Sequence, residues 1–219
     1  MTADELYPFL RAAPAPEADL DADVARSTRE KVAEIGRLRV VLADRDADAL
    51  AACATAMADR FERGGRLYAF GNGGSSTDAL AVASLYAAPG RGHRPLPALS
   101  LPADVASLTA LANDVSFDVV FDRPLRAAGR PDDIAFGLST SGGSENVRRG
   151  MEAAHERGML TVALAGSDGG ALAEMHRQER IAHLFVVPSQ SVHRIQEAQT
   201  TVYQVLWELV GRALSADGP

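Results

Sequence analysis

The sequence predicts an α/β protein in which helices cover both faces of a parallel sheet. Five short apolar segments, each of roughly five residues, alternate with segments that have helical periodicity. Parallel strands need crossover connections between them, and the intervening helices supply these connections. A sheet of this kind binds ligands beyond the carboxyl ends of its strands.

A helical arm is expected before the sheet. We expect a short helix over 3–12 and then a proline- and acid-rich connector over 12–23. Apolar residues recur at three- and four-residue steps between Val24 and Val41, which predicts an amphipathic helix. A separate helix is expected over 47–64, since the two glycines at 64 and 65 provide a stop.

The sheet and its helices follow in alternation. The predicted strands are 66–71, 97–101, 133–139, 160–166 and 182–189. The predicted helices are 76–88, 103–114, 119–129, 144–158 and 191–214.

Composition and charge exclude several classes of function. At 219 residues the chain has room for one large domain or at most two small ones. Its formal net charge of −7 argues against direct binding to nucleic acid or to a membrane surface. The single cysteine, Cys53, excludes a disulfide framework and a cysteine-based metal site. With no signal peptide and no membrane span in view, we expect a cytoplasmic protein.

Two polar, glycine-rich turns follow the first and third predicted strands. The second, "STSGGS", carries four hydroxyl groups, at Ser139, Thr140, Ser141 and Ser144. Its two glycines let the backbone approach a ligand, and the helix that starts near Ser144 presents unpaired N–H groups. Hydroxyls, amides and a helix start form a phosphate cradle without lysine or arginine. The alternative is a tight turn that Ser144 merely caps.

The first turn, "GNGGSS", has a different composition. A dinucleotide fingerprint would place a glycine where Ser76 stands, and a P-loop would need a lysine. NAD and ATP are therefore disfavoured. Asn72 and Ser75 offer directional hydrogen bonds that suit the hydroxyl groups of a sugar.

At this point the chain resembles a known family on five stretches in the family's order and spacing: "GNGGSSTDA", "ALAND", "GLSTSGGSENV", "TVALAGSDGG" and "RIQEAQTT". They are similar to the SIS (sugar isomerase) domain, and within it to the phosphoheptose isomerase branch, which includes a relative that binds the replication initiator DnaA. The resemblance implies a three-layer α/β/α sandwich of flavodoxin-like type. It also implies a homotetramer with its sites at subunit boundaries and sedoheptulose 7-phosphate as the usual substrate.

The same resemblance implies a domain organisation and a set of contacts. The arm would occupy 1–64, the SIS domain 65–214 and a tail 215–219. Substrate contacts would come from Asn72, Gly73, Gly74, Ser75, Asn113, Asp114, Ser139, Thr140, Ser141, Ser144 and Gln196, with the serines holding the phosphate.

The chain departs from the family at the metal positions. In the isomerases the helix after the first turn carries a histidine and, four residues later, a glutamate, both of which bind zinc. Ala81 and Leu85 stand there in this sequence. The terminal helix keeps the family's glutamine as Gln196, but Gln204 replaces the histidine eight residues later. A lone amide oxygen does not make a zinc site, so we expect no metal and no cofactor.

Three functions stay open from the sequence. In a metal-independent isomerase the base that moves the proton would be His193 with Glu197, four residues apart on one helix face, or Asp114. The alternative for the pair is a surface histidine and a structural glutamate. In a sugar-phosphate sensor or scaffold, binding would occur without turnover. In a structural subunit, an active paralogue would supply the missing groups within a hetero-oligomer.

Overall fold

The structure is a computed structural model that describes residues 17–90 and 92–216. The helix expected over 3–12 lies outside these ranges. The chain divides after Arg37 into two compact units, and each is described by itself.

The second unit contains the predicted parallel sheet. Its five strands are β1 Leu67–Gly71, β2 Ala98–Ser100, β3 Ile134–Ser139, β4 Leu160–Gly166 and β5 His183–Val187. They are ordered β2-β1-β3-β4-β5, and every neighbouring pair is parallel. Each strand falls within a segment that the sequence predicts.

Seven α-helices lie in the described residues. They are α1 Glu17–Glu62, α2 Gly74–Ala87, α3 Val105–Asp114, α4 Asp122–Ala128, α5 Glu145–Glu156, α6 Gly170–Arg177 and α7 Val192–Ala216. Two short 3₁₀ turns, Leu101–Ala103 and Phe117–Val119, connect β2 to α3 and α3 to α4.

Helices cover both faces of the sheet, which confirms the predicted three-layer α/β/α architecture. Side chains alternate along β1, so that Tyr68 and Phe70 point into one apolar layer. There Phe70 packs against Phe121 with ring centroids 5.3 Å apart, and α4, α5 and α6 complete the layer. On the other face α2 packs against α7. The end of α1 joins that face, since Phe61 stacks on Tyr86 at 5.5 Å.

The N-terminal part corrects two expectations. Residues 17–23 belong to α1 instead of the predicted connector, and one helix of 46 residues replaces two separate helices. Between Glu17 and Glu62 there is no proline and a single glycine, Gly36, so nothing in the sequence stops the helix.

A further difference concerns α6, for which the sequence analysis has no helix. The helix has only eight residues, begins at Gly170 and directly follows Gly169. Two turns are too short for apolar periodicity to be recognised.

Two observations bear on the compositional arguments. Cys53 is fully buried in α1, and burial raises the pKa of its thiol to about 12. Within 17–90 and 92–216, none of the helices has the length and apolarity that crossing a bilayer would require.

The turn after β3 rests on the turn after β4. Gly142 has φ +66°, and a Cβ built there would lie 2.1 Å from the carbonyl oxygen of Gly169. The carbonyl of Gly142 also accepts a hydrogen bond from the amide of Leu172 at 3.1 Å. This position therefore requires glycine for both its backbone conformation and its closeness to the neighbouring turn.

We expect Gly142→Ala to lower the free energy of unfolding by about 2 kcal/mol or more, from left-handed strain and the steric clash together. Urea denaturation measures the change. The control is Gly143→Ala in the same turn. Gly143 is not left-handed, its Cβ would come no closer than 3.8 Å to a neighbour, and we expect a change within about 0.5 kcal/mol. Equal effects of the two substitutions would contradict the contact described.

Candidate functional site

A crevice forms where β1 and β3 end side by side. Gly71, the last residue of β1, is the register partner of Leu138 near the end of β3. The helix after β1 runs to the face that contains α7, whereas α5, after β3, runs to the opposite face. Such a divergence leaves an opening at the carboxyl ends of the two strands, where open α/β sheets bind their ligands.

A reciprocal amide pair joins the two turns across this opening. Asn72 Nδ2 donates to Asn146 Oδ1 at 2.8 Å, and Asn146 Nδ2 donates to Asn72 Oδ1 at 2.8 Å. The Asn146 oxygen also accepts from the amide of Val147 at 2.9 Å, and its side chain is 3% exposed. The sequence analysis assigns Asn72 to the sugar but does not single out Asn146, although this residue lies within the quoted stretch "GLSTSGGSENV".

Ser139 and Ser144 organise the turn after β3. The hydroxyl of Ser139 is buried, accepts from the amide of Gly142 at 3.1 Å and lies 3.1 Å from the hydroxyl of Ser144. Ser144 thus directs its hydroxyl back to the strand end, and no cap hydrogen bond from its side chain reaches the first amides of α5. Ser144 therefore caps none of the first amides of α5, and among these the amide of Val147 is already bound to Asn146 Oδ1.

Next to this turn lies a polar cavity of about 190 Å³. Three strand ends and the start of α7 line it, with Thr140, Ser141, Ser167, Ser189, Gln190, Val192 and Ile195. The volume corresponds to roughly six water molecules. Gln190 Nε2 donates to Ser167 Oγ at 2.9 Å, so part of the lining is held in place by its own hydrogen bonds.

The cavity carries no formal charge, because all seven lining residues are uncharged. The nearby arginine of α7, Arg194, forms an ion pair with Glu197. At the start of α5 the guanidinium groups of Arg148 and Arg149 lower the pKa of Glu145 to about 2, chiefly through the hydrogen bonds of Arg148. An anion in this cavity would therefore depend on hydroxyl and amide donors.

Sequence reasoning missed three of the cavity residues: Ser167, Ser189 and Gln190. A signal was available, since these residues follow β4 and β5 as the serine-rich turn follows β3. Their contribution becomes visible only once the strand order is known.

The first turn makes its own contact with α7. Gly73 and Gly74 are exposed, whereas Ser75 is 4% exposed and its amide donates to the carbonyl of Asn72 at 2.9 Å. A Cβ on Gly74 would lie 2.2 Å from Gln196 Nε2, so the side chain of Gln196 lies directly against the turn. The structure thus brings Gln196 to the residues with which the sequence analysis groups it.

The other predicted residues lie at the surface. His193 is exposed in the first turn of α7. Glu197, one turn after His193, forms an ion pair with Arg194. Asn113 and Asp114 are exposed at the end of α3, where Asn113 Nδ2 donates to Asp114 Oδ1 at 2.8 Å. Their roles in binding or proton transfer stay predictions.

The residues present do not fit a zinc site. Ala81 and Leu85 have no ligating atoms, and Gln204 is exposed on α7. Among the residues that the structure describes, no group of three or more His, Cys, Asp or Glu side chains is placed to hold a metal ion.

Comparison with known proteins places this site in a family. The SIS domain profile matches residues 32–166. The phosphoheptose isomerase of Chlorobaculum tepidum is 43% identical over 192 residues, which cover 86% of this chain and 90% of the relative. The enzyme of that name from Aquifex aeolicus is 45% identical over 159 residues, with 72% and 78% covered. A solved phosphoheptose isomerase from Neisseria gonorrhoeae superposes with a TM-score of 0.75 at 34% identity, covering 87% of this chain and 98% of that one. The chain therefore belongs to the SIS domain family, in its phosphoheptose isomerase branch.

Proposed function

We propose that this protein binds a sugar phosphate at the ends of β1 and β3 and interconverts its ketose and aldose forms without a metal ion. The observation that carries the proposal is the uncharged, hydroxyl-lined cavity beside the serine-rich turn. The relatives that share this fold are named phosphoheptose isomerases, which supports a seven-carbon sugar such as sedoheptulose 7-phosphate.

Phosphate binding would use neutral donors. The hydroxyls of Thr140 and Ser141 line the cavity, and the start of α5, which Ser144 does not cap, adds partial positive charge. Ser139 and Ser144 would act mainly by fixing the shape of the turn, since their hydroxyls lie 3.1 Å apart. This arrangement lets a protein with a net charge of −7 hold a dianion.

Isomerisation requires a proton to move between two neighbouring carbons. A base removes a proton from C1 of the ketose, and the C2 oxygen becomes negative in the enediolate. Protonation of this oxygen and of C2, with loss of the O1 proton, then gives the aldose. We assign the base to His193, which lies one turn before Gln196 on α7. Glu197 and Asp114 are the further proton carriers in this proposal.

We also propose that the protein works as a homotetramer in the cytoplasm, with its sites at subunit boundaries. Exposed apolar side chains, including Leu80 and Phe117 at 50% exposure each, support association of subunits. An apolar groove of about 340 Å³ between residues 39–51 of α1 and 201–209 of α7, lined by residues such as Leu42 and Val205, supports it as well. An exposed His193 fits a site that a second subunit completes, whether that subunit is another copy or a paralogue.

A specific observation favours a second candidate, a sugar-phosphate sensor or scaffold. At three of the family's four metal positions the side chains are those of Ala81, Leu85 and Gln204, none of which can transfer a proton, and the first two have no ligating atom. A protein with the cradle but without these groups would bind its ligand and release it unchanged.

Turnover separates the two candidates. We expect the wild-type protein to convert at least one ketose phosphate of five to seven carbons to its aldose, with a rate that EDTA and added zinc leave unchanged. Proton NMR of the anomeric region detects the product. If no sugar phosphate of the panel reacts although one raises the melting temperature, the protein is a sensor and not an isomerase.

Ser141→Ala tests the cradle. Its exposed hydroxyl lines the cavity and accepts a hydrogen bond from the amide of Gly143 at 3.2 Å. Because this bond is exposed to water, the substitution should change the unliganded melting temperature only slightly. A ligand at one hundred times its Kd stabilises a protein by about 2.7 kcal/mol, and we expect the variant to lose half of this or more. The control is Ser84→Ala, whose hydroxyl donates to the carbonyl of Leu80 within α2. Thermal shifts that are equal in both variants would contradict phosphate binding at this turn.

His193→Ala tests the proposed base. Loss of a general base lowers kcat by roughly 100-fold or more, and KM should change little because the phosphate contacts remain. His155→Ala is the control, since His155 is exposed on α5. An unchanged kcat would show that His193 is a surface residue without a role in proton transfer.

A further inference from the structure

Gln196, the glutamine that the chain shares with the family's metal positions, has a hydrogen-bond partner that is not apparent from the sequence. Gln196 Nε2 donates to Asp78 Oδ2 at 3.3 Å, which joins α7 to the second turn of α2. The same amide nitrogen is the nearest neighbour of the Cβ position on Gly74. A carboxylate and an amide therefore lie together beside the exposed glycines of the first turn.

Asp78 lies on the helix face from which the isomerases' zinc ligands project. It precedes Ala81 by three residues and Leu85 by seven, a spacing that aligns side chains on consecutive turns. Where the family has a histidine and a glutamate, this face has the methyl group of Ala81, the side chain of Leu85 and one carboxylate. Asp78 is thus the ionisable group that this face retains.

The carboxylate of Asp78 has acceptor capacity to spare. An ionised carboxylate has about four lone-pair positions, and the bond from Gln196 is longer than the usual range for N–H···O bonds. Partial burial raises the pKa of Asp78, while hydrogen bonding from Gln196 and Tyr203 lowers it in part. Partial burial takes hydrogen-bonding water away from the carboxylate of Asp78, and the hydroxyl groups of a ligand could donate hydrogen bonds in place of that water.

A pair of this chemistry suits a sugar. The carboxylate accepts from hydroxyl groups, and the amide both donates and accepts, so together they match two neighbouring hydroxyls.

We propose that Asp78, to which Gln196 donates a hydrogen bond, is a further residue that binds hydroxyl groups of the sugar beside Gly73 and Gly74. This inference rests on the proposed function. It makes Asp78 a sugar-binding residue that positions the carbons to be isomerised, while the turn after β3 holds the phosphate.

Calorimetric titration with two ligands tests the proposal. The ligands are sedoheptulose 7-phosphate, which has both a sugar and a phosphate, and inorganic phosphate, which has no sugar. The proteins are the wild type, Asp78→Asn, Gln196→Ala and, as matched control, Asp48→Asn, an exposed carboxylate on α1. Each titration is run with EDTA and again with added zinc, and a melting curve checks that each variant is folded.

We expect Asp78→Asn to weaken binding of the sugar phosphate at least tenfold and binding of inorganic phosphate less than twofold, because the substitution keeps the size and removes the charge. Gln196→Ala should show the same selective loss, and Asp48→Asn no change. EDTA and zinc should have no effect on the wild type.

Three results would overturn the inference. Equal weakening of both ligands would show that Asp78 only ties α2 to α7. Unchanged affinity for the sugar phosphate in both variants would show that the pair does not contact the sugar. Tighter binding with zinc would show that the site uses a metal after all. If the wild type binds neither ligand the proposed function fails as well, whereas a wild type that binds the sugar phosphate leaves the function intact whatever Asp78 does.

Discussion

The reciprocal hydrogen bonds between Asn72 and Asn146 are the interaction on which the site depends. β1 and β3 are neighbours in the sheet, but the helices that follow them leave to opposite faces, so the two turns have no helix in common to hold them at a fixed spacing. Two amide side chains at 2.8 Å supply this connection, and the burial of Asn146 protects it from water. This pair sets the spacing between the first turn and the start of α5, whereas the ends of β3, β4 and β5 and the start of α7 line the neighbouring cavity.

Much of the fold follows from local sequence. The strands are apolar runs bounded by glycine, proline or serine, and the serine-rich turn lies at a strand end because the run before it is uniformly buried. The continuity of α1 and the presence of α6 cannot be predicted from local sequence in the same way. The first depends on the absence of a stop signal over 46 residues, and the second on packing of an eight-residue segment against the neighbouring layer.

The site is predictable only in part, because its contacts join distant segments. Ser141 can be found from its own turn, but its cavity partners Ser167 and Ser189 come from two other strand ends. The bond between Asp78 and Gln196 links positions 118 residues apart and requires the packing of α2 on α7. The replacement of the family's metal-binding histidine and glutamate by Ala81 and Leu85, in contrast, is evident from the sequence once the family is recognised. The chain thus keeps the architecture of the isomerases while the groups available for chemistry differ, and fold alone does not decide the reaction.

The neutral lining of the cavity has a consequence for the ionic environment in which the protein works. Salt screens interactions between charges, whereas hydroxyl and amide dipoles act over a few ångströms and are screened little. A cradle of arginines would lose affinity for a dianion as ionic strength rises. In this protein the surrounding field is repulsive, with a net charge of −7, so added salt weakens the repulsion and leaves the attraction almost intact. Affinity for an anionic ligand would therefore be insensitive to ionic strength or rise slightly with it, opposite to the behaviour of most anion-binding sites.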